Sequence, residues 1–258
     1  MDIIITTIII KPRHTIPYCV YKTAVLLIVV MQLAIHSLAQ DSTFASKHAA
    51  IFFPYPMYKE HWRSSIGFTM MTTPEDITEE VRLRIPCGDY HLLRKISNHF
   101  VSDNRILFQV LQNHLSTGIR YVTPINENVY FTVGNDIGFW FGRLKLSGFN
   151  SKGLGWIDYP NMSIGYKTKK DLLITFKAQV AINLYYQAAN GEVKYSSGKN
   201  YYNGETFTLA LEQPFYNKKH LTLAFSAINN LFYWQTWALF YKTNRKVFYP
   251  QVTVGFIL

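Results

Sequence analysis

The stretch DLLITFKAQVAINLY, Asp171 to Tyr185, decides the reading of this chain. With the backbone extended, Leu172, Ile174, Phe176, Ala178, Val180, Ile182 and Leu184 share one face, and Thr175, Lys177, Gln179, Ala181 and Asn183 share the other. Successive side chains of a strand point to opposite sides, so a period of two marks a strand. On a helix the same residues scatter and put Lys177 and Gln179 among the aliphatics. A globular strand has about five or six residues, whereas a tilted strand crossing a bilayer needs roughly nine to eleven. This stretch is long enough to cross, and its apolar face fits equally against the second sheet of a soluble sandwich.

The N-terminus weighs toward export. Ala24 to Ile35 is an apolar run broken only by Gln32, with Lys11, Arg13 and Lys22 before it and Ser37, Leu38 and Ala39 after it. A basic region, a short apolar region and a small-x-small ending describe a secretory signal peptide. The run is shorter than the roughly twenty residues of a spanning helix, and a short membrane anchor is the alternative. Residues 1–39 are therefore expected to be a signal peptide. Residues 40–63 read as a lead-in in which Pro54 and Pro56 oppose regular structure, and residues 64–258 as one domain.

Composition agrees with that division. Of the two cysteines only Cys87 lies beyond the leader, which excludes an internal disulfide. Mean hydropathy is near zero, and no other long apolar run occurs, so an all-helical membrane protein is excluded. The apolar residues must be dispersed in alternation. The net charge of +10 becomes +8 without Asp2, Lys11, Arg13 and Lys22 of the leader, a balance that favours acidic partners such as phosphorylated headgroups. Lys169, Lys170, Lys218 and Lys219 fall in turns rather than in one patch, so no nucleic-acid partner is expected.

Ten strands can be counted, with eight and twelve as alternatives. They are Ser64–Thr73, the alternation at Val81, Leu83 and Ile85 ending at Pro86, Tyr90–Ser97, a long strand from Arg105 to Thr123, and one starting at Val129. Trp156–Lys167, the quoted stretch, and the strands around Phe207–Leu211, Leu221–Phe225 and Phe248–Leu258 follow. Two short strands broken at Asn113 are the alternative to the long fourth one. Gly142 to Gly155 reads as a glycine-rich loop, and Asn229 to Lys246 as an aromatic-rich connection. Phe139–Phe141, Trp156, Tyr159, Tyr185, Tyr186, Tyr201, Tyr202, Phe232–Trp234 and Trp237 cluster at strand ends, where interfacial girdles place such rings.

The last strand puts Phe248, Val252, Val254, Phe256 and Leu258 on one face, with Gln251, Thr253 and Gly255 opposite. It resembles the C-terminal strand of small outer-membrane β-barrel proteins of Gram-negative bacteria, although Leu258 stands where that signal most often has Phe. Leu221 through Ile228–Phe232 to the last strand is also similar to the last two strands of TonB-dependent receptors, a family whose plug and barrel of over twenty strands exceed this chain. The resemblance implies an antiparallel transmembrane β-barrel in the outer membrane, with outer-membrane lipids and the barrel assembly machinery as partners. Only helices or closed barrels satisfy their backbone in hydrocarbon.

If the apolar faces meet lipid, Arg82, Arg84, Arg120, Lys177, Gln179 and Glu212 face the lumen. Buried charges need partners, so Glu212 is expected to pair with Arg120 or Lys177 and to leave surplus positive charge. A ten-stranded barrel leaves at most a narrow passage. The expected role is structural or the passage of a small solute, with no cofactor. His114 and Ser116 form a His-x-Ser pair similar to that of outer-membrane lipid A deacylases, in which His activates Ser as a nucleophile. No acid can be assigned to orient the imidazole, and no Cys/His spacing of a metal site is present. The alternatives are thus a lipid-modifying barrel enzyme and a secreted ligand-binding β-sandwich.

Overall fold

The quoted alternation lies in a strand that pairs on both of its sides, and following those pairings from neighbour to neighbour returns to the starting strand. The protein, a computed structural model, is described for residues 50–58, 60–78, 83–146, 149–196, 201–214, 220–239 and 245–258. The leader and Arg82 lie outside the described residues. The strands are β1 (Trp62–Thr72), β2 (Arg84–Lys95), β3 (Phe100–Phe108), β4 (Gln112–Pro124), β5 (Val129–Leu146) and β6 (Phe149–Lys167). Then come β7 (Leu173–Asn190), β8 (Val193–Ser196), β9 (Tyr201–Pro214), β10 (His220–Asn230) and β11 (Val247–Ile257). A single helical turn, α1 (Glu75–Thr78), lies between β1 and β2, and a 3-10 segment (Trp234–Leu239) between β10 and β11.

Antiparallel pairing runs from β1 through β7, on to β9, β10 and β11, and back to β1. Ten strands thus close an all-β barrel, and β8 extends β7 alone. A closed barrel has no sheet edge, and the sandwich alternative is excluded. Connections at 96–99, 125–128 and 168–172 lie at one end with the start of β1 and the end of β11. The ends of β1, β3, β5, β7 and β10 lie at the other, with the start of β9. We call these the short-turn end and the long-loop end.

The count of ten survives two compensating differences from the sequence reading. Arg84–Lys95 is one strand where two were read, because Pro86 pairs only with the β1 side; the β2–β3 ladder begins two residues on, at Gly88 with Phe108. The missing N–H of proline is tolerated where a neighbour is absent. Conversely, Arg105–Thr123 is two strands, turning at 109–111 with Gln109 N donating to Gln112 O at 3.1 Å. No Gly, Pro or Asn within Gln109–Leu111 announces that turn.

The glycine-rich segment is strand, not loop: Gly142 and Gly153 are a facing pair in the β5–β6 hairpin. Their inward sides are occupied. A Cβ on Gly142 would lie 2.5 Å from Trp237 Nε1, and one on Gly155 would lie 2.5 Å from Trp140 Nε1. Trp140, Trp234 and Trp237 are therefore interior side chains, each no more than 2% exposed, and do not belong to an outer girdle. Trp156, 45% exposed and 4.7 Å from the Phe139 ring, lies outside.

Two register shifts set up that filled end. Opposite β7, Asn203 of β9 is an extra residue between Gly204, paired with Ala181, and Tyr202, paired with Ile182. Asn203 is fully buried; its amide donates to Phe232 O at 2.7 Å and its carbonyl accepts from Phe232 N at 2.9 Å. Opposite β6, Leu184 of β7 is extra, between Tyr185 and Asn183. A shift of one residue exchanges the faces of a strand, and beyond it Tyr186 stacks on Phe232 at 4.8 Å. The alternation read from Asp171 to Tyr185 ends at this bulge.

At the short-turn end the lead-in is irregular, as Pro54 and Pro56 dictate, but it is also inside. Ala50, Ile51, Phe53, Tyr55 and Met57 are each at most 4% exposed. Ile51 and Met57 pack with Leu93, Val101, Val122 and Ile257, while Phe53 and Tyr55 pack with Tyr130 and Leu173. The barrel is stoppered by residues 50–58 of its own chain.

Candidate functional site

Between the stopper and the 3-10 segment lies a chamber of about 100 Å³, with Phe52 among its lining residues at one end and Tyr233 and Trp234 at the other. Its wall comes from the inward residues of the strands, so position in the pleat decides membership. Arg120 of β4, Lys177 and Gln179 of β7, and His114 and Ser116 of β4 line it. Glu212 is fully buried on the inward face of β9, nearer the short-turn end.

Arg84 departs from the expectation: it is exposed. The register with β1 pairs Cys87 with the buried Thr69, so the inward side of β2 runs through Cys87, Asp89 and His91. Arg84 falls on the opposite side. Alternation read across Val81–Ile85 has the wrong parity, because pairing and not local pattern fixes which side of a strand is inward.

The acids that neutralise the interior are not the one foreseen. Asp89 accepts from Arg105 Nε at 3.0 Å and Nη2 at 2.5 Å, and from Thr69 Oγ1 at 2.7 Å. Asp103 is ion-paired with Arg120 and lies 2.5 Å from His91 Nε2. Asp136 stands 3.6 Å from Lys177 Nζ and accepts from Asn161 Nδ2 at 2.9 Å. Three bases thus meet three acids, and the expected surplus of positive charge is absent from this set. Asp103 of β3 and Asp136 of β5 are not among the lumen-facing residues expected from the sequence. Their only sequence signal was an acid in step with the polar face of a strand.

Glu212 does not pair with Arg120 or Lys177. Its carboxylate accepts from Ile51 N at 2.7 Å, Phe52 N at 3.2 Å and Phe53 N at 2.7 Å, and from Thr222 Oγ1 at 3.1 Å. Charge-assisted bonds to successive amides are among the stronger hydrogen bonds. Lys95 Nζ donates to Tyr58 O at 2.6 Å and Arg63 Nη1 to Ala50 O at 3.3 Å, holding the two ends of the same segment.

His114 and Ser116 share the chamber, yet no hydrogen bond joins them among the described residues. The imidazole is stacked on Trp234 at 5.0 Å, and its Nε2 lies 3.4 Å from the Tyr159 hydroxyl. Among the described residues no carboxylate is bonded to it. A Cβ on Gly138 would lie 2.6 Å from the same Nε2, so a glycine makes room for the ring. No group of three or more His, Cys, Asp or Glu suited to a metal ion occurs among the described residues.

The far end of the chamber is closed by the 3-10 segment. Gln112 Nε2 donates to Gln235 O at 3.1 Å, Gln235 Nε2 to Cys87 Sγ at 2.7 Å and Tyr233 OH to Gln251 Oε1 at 2.9 Å.

No protein-family model matches the chain, and no curated protein matches it. Among solved structures, the translocator domain of the autotransporter NalP from Neisseria meningitidis is similar at 9% identity and a TM-score of 0.40, over 94% of this chain and 98% of that one. A likeness of that degree carries no argument about the role of this protein.

Proposed function

We propose that this protein is an integral outer-membrane β-barrel with a closed interior, serving a structural role or admitting only small solutes, and without catalytic activity. One observation carries the reading: the barrel wall is apolar outside, while the chamber between its two filled ends is lined mostly by polar side chains. Nine of the ten barrel strands present large apolar residues outward, among them Phe68, Phe108, Ile119, Ile137, Ile164, Phe176, Phe207, Phe225 and Phe256. Soluble monomers rarely expose contiguous apolar patches beyond a few hundred Å², whereas a lipid-facing barrel wall is built this way. The outward polar side chains Asn104 and Thr117 bond each other at 2.8 Å, as do Asn135 and Asp158. In hydrocarbon such pairing is what polar groups require.

The short turns then face the periplasm and the longer loops the exterior. Lipids surround the wall, and the outward Val254, Phe256 and Leu258 of the terminal segment are what the assembly machinery would meet. The non-catalytic reading is supported by His114, whose ring meets Trp234 and Tyr159 and, among the described residues, no carboxylate that would orient a catalytic imidazole.

Detergent-extracted protein should migrate differently before and after boiling, since closed barrels resist unfolding in cold detergent. A more selective test is Phe176→Arg. In vesicles it should cost about 2–4 kcal/mol if Phe176 lies near the bilayer midplane, read from the urea midpoint of folding. On a water-exposed surface the same change stays within about 0.5 kcal/mol, and that result would sink the membrane reading.

A further inference from the structure

We infer that residues 50–58 are a releasable stopper, and that the chamber behind them is a binding vestibule, reached from the short-turn end, for a small polar solute without net charge. The inference rests on the membrane-barrel reading for its setting, and on separate observations for its content.

The two closures of the barrel are held differently. Residues 50–58 pair with no strand of the sheet, so their departure breaks no ladder. Side chains fasten them, among them Glu212 on the amides of Ile51–Phe53, Lys95 on the carbonyl of Tyr58, and Arg63 on the carbonyl of Ala50. The 3-10 segment at the other end is continuous with β10 and β11 on either side, is clasped by Asn203 and Gln112, and seats Trp237 against Gly142 and Gly153. Opening at the short-turn end therefore costs contacts but no sheet pairing, and it exposes the chamber to one compartment only.

What the chamber would take follows from its wall. Arg105, Arg120 and Lys177 each face their own acid, so no net charge is left to select an anion or a cation. Among the described residues, polar atoms nonetheless remain without hydrogen-bond partners on residues more than nine-tenths buried: Arg120 Nε, a donor, Asp136 Oδ1, an acceptor, and His114 Nδ1. All three residues line the chamber. Unmade hydrogen bonds on buried groups are costly, and an uncharged or zwitterionic solute of a few heavy atoms, offering both an acceptor and a donor, matches this mixed, charge-balanced wall.

The test is thiol labelling of the full chain carrying Cys19→Ser, Cys87→Ala and Ser116→Cys, which leaves a single thiol, in the chamber wall. The probes are small water-soluble methanethiosulfonates: neutral, cationic and anionic. The parent is expected to label slowly, and adding Glu212→Gln, which weakens the clasp on the stopper amides, to speed labelling by about tenfold or more. Equal rates with and without Glu212→Gln would overturn the stopper. An anionic or cationic reagent favoured by about tenfold or more, as a focusing charge produces, would overturn the uncharged-solute assignment. Heat-modifiable migration is checked first. Should Glu212→Gln not fold, Lys95→Met takes its place, and a rate unchanged from the parent again overturns the stopper. Protein that labels as expected yet does not enter vesicles would sink the membrane reading and leave the stopper standing.

Discussion

Asp103→Leu is expected to destabilise the barrel by about 3–5 kcal/mol, the cost of leaving one member of a buried ion pair without its partner. Asp103 is 4% exposed and serves two groups at once, Arg120 through one oxygen and His91 through the other. With the carboxylate gone, the guanidinium of Arg120, itself 7% exposed, faces the chamber without an acid bonded to it. The measurement is the urea midpoint of the heat-resistant folded form in vesicles. Removing both charges, as Asp103→Leu with Arg120→Met, should recover most of the loss, since apolar replacement of a buried pair is often close to neutral. The double-mutant cycle then gives the coupling directly. A single-variant cost below about 1 kcal/mol would mean that chamber water solvates Arg120 well enough to replace Asp103, as it does for exposed pairs.

The second large effect concerns tryptophan. Trp237→Ala should cost about 3–5 kcal/mol, as burying and then deleting a large aromatic ring does, whereas Trp156→Ala should cost far less. Both residues sit in aromatic clusters at strand ends and read alike in the sequence. In the fold Trp237 is 2% exposed and rests on two glycines, while Trp156 is 45% exposed on the outer wall. A Cβ on Gly153 would come 2.7 Å from Trp237 Cε3, so no side chain on that strand position can fill the space the indole leaves. The unfilled volume stays as a cavity at the long-loop end. Equal losses for the two variants in the same vesicle unfolding assay would place Trp237 in the interfacial girdle and contradict its interior position.

Much of the barrel was legible because a strand's two faces are a local property. The alternation from Leu172 to Asn183 assigns Phe176 outward and Lys177 inward without reference to any other segment. The same holds for Leu221–Phe225 and for Phe248–Leu258, whose inward residues Gln251 and Thr253 line the chamber. The number of strands was legible for a weaker reason, since one fused pair and one split strand cancelled.

Local alternation was thus enough to fix the all-β architecture, its outward apolar faces and the inward placement of Arg120, Lys177, Gln179 and Glu212. Tertiary structure alone decided what those inward groups meet. Ile51 reaches Glu212 across 161 residues, and Gln235 reaches Cys87 across 148; no periodicity records a contact between segments so far apart. Pairing with β1 decided that Arg84 points outward, and the extra residues Asn203 and Leu184 decided where the alternation reverses. The physical reason is common to all of these. A strand's pleat is fixed by the geometry of adjacent residues, whereas the contents of a closed barrel are fixed by which distant segments are small enough, apolar enough or suitably charged to fill the space that closure creates.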